Sequence, residues 1–320
     1  LRETRQLSQH IKVSEIAASA SRTANKAATS AALFTVFVWA LSFPLTKLAL
    51  VEFQPLPLAA ARFAVAAILI LAWLLWKRPQ VPTLRDLGRF LICGLIGIAS
   101  YNALLNAGQL TVSASAASFI VNTVPILTAV LAILFLNERL TKWGWVGACI
   151  GLLGVGIIVA GQPGGLYFGS GSLLIFGSAI AQAAFFVLQR PLVERYKALP
   201  STAYSLLAGS LVLTPWLGQG LATALAPSTA ISAVLAVVAL AIFPAVLGYA
   251  AWSYAIGHFG ATRSATFLYL VPPCATLLAF GLSGEIPSLV TIIGGLVAIA
   301  GVALVNARGR TTATRNFHGK

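Results

Sequence analysis

The sequence predicts an all-α integral membrane protein with ten transmembrane helices in two inverted five-helix repeats. Three observations carry that expectation: a composition suited to lipid, ten apolar blocks of spanning length, and a match of the chain to itself. Of the 320 residues, 58% are hydrophobic and 9% are charged, against roughly 45–50% and about 25% in an ordinary soluble domain. A formal charge of +14 raises the question of nucleic acid, which requires the cations to gather in a patch. They are distributed between apolar blocks instead, so no nucleic-acid partner is expected and the lipid bilayer is.

A helix crosses the hydrocarbon core in about 20 residues. That ruler places spans at residues 31–50, 57–76, 86–108, 113–136, 143–161, 169–189, 201–218, 231–256, 262–282 and 288–306. Cys93, Cys149 and Cys274 each lie inside an apolar block, with no C-x-x-C pair and no His or acid at ligand spacing. They read as small packing residues, and neither metal nor cofactor is expected.

Orientation follows from the cations, which short cytoplasmic loops retain. Nineteen of the 21 Lys and Arg fall in the two tails and in alternate loops, the exceptions being Lys47 and Arg62. Both termini are therefore expected in the cytoplasm of a multi-pass protein of the plasma, or bacterial inner, membrane. Residues 1–30 read as a basic cytoplasmic tail with a surface helix around residues 11–16 and no signal-peptide core; residues 308–320 read as a second tail. The chain begins at Leu1 and contains no Met, which points to replaced methionines or a processed start and to nothing functional.

Sliding the chain by 147 residues aligns Val124-Pro125 with Val271-Pro272, Glu138 with Glu285, Gly147 with Gly294, and Gly154 with Gly301. Such self-similarity marks a duplication, dividing the spans into residues 31–161 and 162–307. Five helices per repeat is an odd number, so the second repeat enters the membrane from the opposite side. Inverted repeats recur in secondary transporters, which seat substrate near the midplane between the halves. The alternative is a duplication that merely enlarged a bundle.

Helical spacing marks the candidate cavity residues. Asn102, Asn106 and Gln109 share one face of the third span, and Ser115, Ser118 and Asn122 share one face of the fourth. Their counterparts in the second repeat include Tyr249, Ser253 and Tyr269. Groups of this kind must find protein or water inside a membrane, so they face the bundle interior. Small polar residues also bind helices together, which leaves the larger Asn102, Asn106, Asn122 and Gln182 as the stronger cavity candidates. Trp39, Tyr101, Phe186, Tyr249, Trp252 and Tyr269 sit well inside their spans and could wall a cavity for a partly apolar solute or simply pack. Trp73, Trp76, Trp143 and Trp145 lie near span ends, as interfacial anchors do.

Arg62 needs a partner at its depth; Glu52 or carbonyls of the outer loop are the candidates, and a structural role is expected. Lys47 is expected to snorkel outward, with a substrate carboxylate at the outer mouth as its alternative. Pro125 and Pro272 interrupt equivalent spans, as hinges or as static kinks. Gly147, Gly151 and Gly154, echoed by Gly294 and Gly301, form a small-residue face for close helix packing. A monomer is expected, with oligomerisation through that face as the alternative.

All seven acids (Glu3, Glu15, Glu52, Asp86, Glu138, Glu194 and Glu285) fall in tails, loops or span ends. Proton-coupled antiport of cationic drugs generally uses a carboxylate at the midplane, so that reading is second to export of neutral or zwitterionic metabolites. The chain has no nucleotide-binding G-x-x-x-x-G-K-[ST] loop. Gly281-Leu-Ser283-Gly284 looks like the Gly-x-Ser-Gly of intramembrane proteases, but His10, His258 and His318 are expected on the opposite side from Ser283, so no enzyme activity is expected. Charge rings or repeated carbonyl loops of a channel filter are not visible either.

The run Phe135-Leu-Asn-Glu138-Arg-Leu-Thr-Lys-Trp-Gly144-Trp-Val-Gly147, its partner Leu282-Ser-Gly-Glu285-Ile-Pro-Ser, the pair Arg62-Phe63 and both Val-Pro pairs resemble the EamA-like family of the drug/metabolite transporter superfamily. The resemblance covers nearly everything from residue 31 to 306. It implies a five-plus-five inverted arrangement and a central cavity lined by the first, third, fourth, sixth, eighth and ninth helices. Amino-acid exporters are a prominent branch of that family. The expectation is thus an alternating-access exporter of small organic metabolites, foremost amino acids, with Trp39, Tyr101, Asn102, Asn106, Ser118, Asn122, Gln182, Phe186, Tyr249, Trp252, Ser253 and Tyr269 as substrate contacts.

Overall fold

The computed structural model describes residues 2–112, 114–136, 141–160, 170–283 and 289–308, and all regular structure among them is helical. In chain order the helices are α1 (Arg2–Ala49), α2 (Pro55–Lys77), α3 (Leu84–Gln109), α4 (Ala114–Val121), α5 (Val124–Leu136), α6 (Lys142–Ala160) and α7 (Ser170–Tyr196). There follow α8 (Ala198–Leu213), α9 (Leu217–Leu225), α10 (Ile231–Phe259), α11 (Ala261–Ala265), α12 (Val271–Ser283) and α13 (Leu289–Arg308). Every apolar block of the sequence falls on one of these helices or on an adjoining pair. Five stretches among the described residues are long and apolar enough to cross a membrane: Asn25–Ala49 within α1, and α2, α3, α7 and α10. The other expected spans fall on α4 with α5, α6, α8, α11 with α12, and α13, several of which border undescribed residues. α1 runs unbroken from Arg2 through the residues expected to form the N-terminal tail and into the first span. Glu138 and Glu285 lie outside the described residues.

Local chemistry sets the helix ends. Pro55 and Pro57 open α2, where a missing N–H costs nothing, and Arg78 closes it in a left-handed conformation with its N–H on the Leu74 carbonyl at 2.8 Å. Thr83 caps α3, its hydroxyl accepting from the Asp86 N–H. Gly260, at φ 85°, separates α10 from α11.

Breaks inside the spans come from proline and from polar side chains that take backbone partners. Pro125 cannot donate to the Val121 carbonyl, while Asn122 Nδ2 and Thr123 Oγ1 donate to the carbonyls of Ser118 and Ile120 at 2.6 and 2.7 Å. The fourth span is accordingly divided into α4 and α5. At the equivalent place in the second half a 3₁₀ turn, Thr266–Leu270, precedes Pro272. Both prolines therefore start a helical piece instead of kinking one midway. Two π-helical stretches, Gly94–Ser100 in α3 and Ala241–Gly248 in α10, begin 147 residues apart, matching the offset at which the sequence repeats.

The helices of the first half take their main neighbours from the second: α6 packs on α13, α3 on α7 and α8, α2 on α8, and α1 on α10 and α12. Large side chains such as Phe37, Leu75, Leu134, Phe135, Leu211 and Leu296 point outward, whereas Asn102, Asn106, Asn122, Gln182 and Gln189 are buried. That inversion of the soluble pattern is what a lipid solvent requires.

At one end of the bundle Asp86, fully buried at 0% exposure, accepts from Tyr196 Oη at 2.8 Å, Arg195 Nη1 at 2.6 Å and Arg89 Nη1 at 3.2 Å. This ties the start of α3 to the end of α7. Asp86→Ala is expected to lower the melting temperature of the purified protein by roughly 2–4 °C, the shift typical of a modest single-site loss. An unchanged melting curve would show the cluster to be structurally idle.

Candidate functional site

The site is built where the helix breaks meet. Trp39, Ser42, Phe43 and Thr46 present one face of α1, and Arg62 of α2 and Tyr101, Asn102 and Leu105 of α3 face them. Asn122 at the α4–α5 break, Gln182 of α7, and Pro244 and Tyr249 of α10 close the ring, with Leu268 and Val271 beside Pro272. These residues enclose a narrow cavity whose free volume for water-sized molecules is about 40 Å³. One water needs about 10–15 Å³ on that measure, so the cavity has room for a few waters, and a bulky solute needs the helices to part.

Arg62 is the cavity's only cation among the described lining residues. Its depth is seven residues into α2, about 10 Å along the axis. The guanidinium is held by two neutral acceptors: Nε donates to the Leu240 carbonyl at 3.0 Å and Nη1 to Asn102 Oδ1 at 3.1 Å. Pro244 explains the first bond. Lacking an N–H, it cannot make the α-helical bond to the carbonyl four residues earlier; the turn widens into a π stretch, and Arg62 adds a side-chain bond to that acceptor. The partner is thus in α10, not the outer loop or Glu52. Asn102 is itself fixed by Nδ2 donating to the Ile98 carbonyl at 2.8 Å.

Beneath the cavity, one turn further toward the Asp86 end, the aromatic residues form a plug. Trp39 lies 5.3 Å from both Tyr249 and Trp252 and is stacked at 6.1 Å on Phe186, which is 4.9 Å from Trp252. Trp39 Nε1 donates to the Pro244 carbonyl at 3.2 Å, another acceptor in the π stretch. On the opposite side, Lys47 Nζ donates to the Gln109 carbonyl and Asn106 Nδ2 to the Pro55 carbonyl at 3.0 Å. Lys47 thus joins α1 to α3 instead of reaching outward. Contacts between helices thus flank the cavity on both sides.

Of the residues singled out from sequence, Trp39, Tyr101, Asn102, Asn122, Gln182 and Tyr249 line the cavity. Phe186 and Trp252 stand behind Trp39 in the plug. Asn106 joins α3 to the start of α2, and Ser118 is buried with its carbonyl capped by Asn122. Ser253 Oγ lies in an interhelical knot, 2.7 Å from Gln189 Nε2 and 2.5 Å from Thr202 Oγ1. Tyr269 packs on Gly151, where an added Cβ would come within 2.4 Å of its ring. Sequence reasoning overlooked Ser42, Phe43 and Thr46, although with Trp39 they fall at i, i+3, i+4 and i+7 of one helix. A second recess, of about 450 Å³ between α3, α5 and α7, is lined by apolar side chains and Arg89 and gathers no comparable polar set.

None of the described carboxylates lines the cavity. Glu52 and Glu194 are exposed and Asp86 is held in its own cluster.

The model of the EamA-like transporter family matches this chain twice, over residues 26–160 and 169–307. YdfC of Bacillus subtilis, described as an uncharacterized transporter, is 34% identical over 268 residues, covering 83% of this chain and 86% of that protein. A probable terminal-alkyne amino-acid exporter of Streptantibioticus cattleyicolor is 34% identical over 284 residues, covering 87% and 93%. A solved crystal structure superposes with a TM-score of 0.70 over 88% of this chain and 96% of its own at 20% identity, a likeness of fold. Two family matches that together span nearly the whole described bundle, on a chain of apolar membrane-length helices, have one meaning: this protein belongs to the EamA-like transporter family and is a multi-pass membrane transporter.

Proposed function

We propose that this transporter exports amino acids, neutral and aromatic ones included, by alternating access through the cavity between its two halves. The observation that carries the reading is the cavity itself: amide, hydroxyl and aromatic groups converge from both halves on one narrow space between the helices. Such a lining suits a partly apolar, polar-headed metabolite. Trp39, Tyr101, Asn102, Asn122, Gln182 and Tyr249 are its contacts in this reading. Pro125 and Pro272, each starting a helical piece beside the cavity, are its hinges. The described sibling from Streptantibioticus supports the substrate class. The arrangement we propose is ten spans in two inverted repeats, 31–161 and 162–307, in the bacterial inner membrane with both termini cytoplasmic and a monomer as the working unit.

Purified protein in liposomes should move labelled neutral and aromatic amino acids at a rate that a pH gradient leaves unchanged. Movement of a cationic dye, and only under a pH gradient, would instead establish a drug antiporter. The lack of a carboxylate on the described lining weighs against that second reading, since cation and proton would have no common site.

A further inference from the structure

The cavity is chemically polarised in a way that the substrate class alone does not require. Arg62 is 7% exposed, and both of its acceptors among the described residues are neutral. A guanidinium carries five N–H donors and stays charged at any pH a protein tolerates. Leu240 and Asn102 occupy two of them, and Nη2 has no protein acceptor among the described residues. A buried cation without a counter-charge is unfavourable until an anion joins it.

Elsewhere in the lining the excess is of the opposite kind. Asn122 Oδ1 and Gln182 Oε1 are buried amide oxygens with no donor. The orientation of Asn122 is fixed by its own bond, since Nδ2 already donates to the Ser118 carbonyl at 2.6 Å. One part of the cavity therefore lacks an anionic acceptor while another lacks hydrogen-bond donors. A single small molecule satisfies both if it bears a carboxylate at one place and an ammonium at another.

We infer that Arg62 is the carboxylate anchor of the transport site and that Asn122 and Gln182 accept from the substrate's ammonium group, so that the protein selects zwitterions. The inference rests on the cavity being the transport site, as proposed above. The guanidinium receives the carboxylate through parallel N–H···O bonds, a geometry that a lysine ammonium does not reproduce. The substrate's remaining part lies against Trp39, Tyr101 and Tyr249. A cationic amine without a carboxylate meets the guanidinium unscreened and is rejected, so selectivity arises from repulsion as well as attraction.

The test is binding, measured by thermal shift and calorimetry on the purified full-length protein in detergent. The ligands are L-phenylalanine and L-leucine, their decarboxylated amines phenethylamine and 3-methylbutylamine, and their deaminated acids 3-phenylpropionate and 4-methylpentanoate. Both amino acids should bind, the acids more weakly, and the amines not at all. Arg62→Gln should weaken amino-acid binding by about tenfold or more, as loss of a charge-assisted hydrogen bond does, and Arg62→Lys should restore only part of it. Asn122→Leu should weaken the amino acids and leave the acids unchanged. Amines binding as well as the amino acids, or no binding by any of the six, would overturn the inference. If Arg62→Gln does not fold, the wild-type panel and Asn122→Leu decide the matter. Binding in the expected order without flux in liposomes would sink the exporter reading and spare the anchor; flux with equal binding of amines would do the reverse.

Discussion

Gly301→Leu is expected to leave no monodisperse transporter extractable from the membrane. At Gly301 even a bare Cβ would stand 2.4 Å from the Gly151 N and 2.6 Å from the Gly147 carbonyl oxygen. These are backbone atoms of α6, so no side-chain rotation can relieve the overlap and α13 must move away bodily. Within lipid, apolar surfaces gain nothing from leaving water, and close packing of small residues is what joins the helices. Overpacking a well-filled interior costs about 1–3 kcal/mol where side chains can adjust, and here they cannot. Size-exclusion profiles of a fluorescent fusion, beside Gly88→Leu as control, would measure this. Nothing lies within 4 Å of a Cβ built at Gly88, so that variant should remain monodisperse. A normal profile for Gly301→Leu would mean that α6 and α13 do not meet as described.

Asn102→Ala should reduce transport by about tenfold or more while the protein still inserts and purifies. Asn102 is 1% exposed and joins two features of the site. Its Oδ1 holds Arg62 Nη1, and its Nδ2 holds the Ile98 carbonyl inside the π stretch of α3. Hydrogen bonds to charged groups contribute about 1.5–3 kcal/mol, and about 1.4 kcal/mol corresponds to a factor of ten. Truncation leaves the guanidinium with the Leu240 carbonyl alone, free to swing out of the orientation that faces solute. Initial rates normalised to folded protein separate this from lost abundance. Asn106→Ala is the matched comparison, one turn along the same helix but bonded to Pro55 and off the lining. Equal loss in both variants would assign Asn102 to helix packing rather than to the site.

The positions of the helices were legible in the sequence because lipid imposes a one-dimensional rule. A span needs a set length of apolar residues, and that length can be read along the chain without knowing any neighbour. Hence the blocks at 57–76 and 231–256 coincide, within a few residues, with Pro55–Lys77 and Ile231–Phe259. Part of the cavity was legible for a similar reason: large polar groups such as Asn102, Asn122 and Gln182 are too costly to face hydrocarbon, so their inward direction follows from residue type.

The partners of Arg62 were misjudged for the converse reason. They are 40 and 178 residues away, and one of them is a backbone carbonyl at a proline-widened turn of another helix. No local pattern announces such an acceptor. Ser253 and Tyr269 share the polarity of the lining residues yet turn into a hydrogen-bonded knot and onto a glycine, respectively. Residue chemistry could not distinguish these fates, because the difference lies in which helix stands opposite.

The sequence by itself determined the solvent, the helices, the family and the offset at which the chain repeats, all of them properties of composition and spacing along one dimension. Only the tertiary structure decided which inward-facing groups share a cavity and which lock helices together, because that depends on the rotation and crossing of helices packed by short-range contact. It alone also placed the Arg62 guanidinium, held by two neutral acceptors, among amides and aromatic rings.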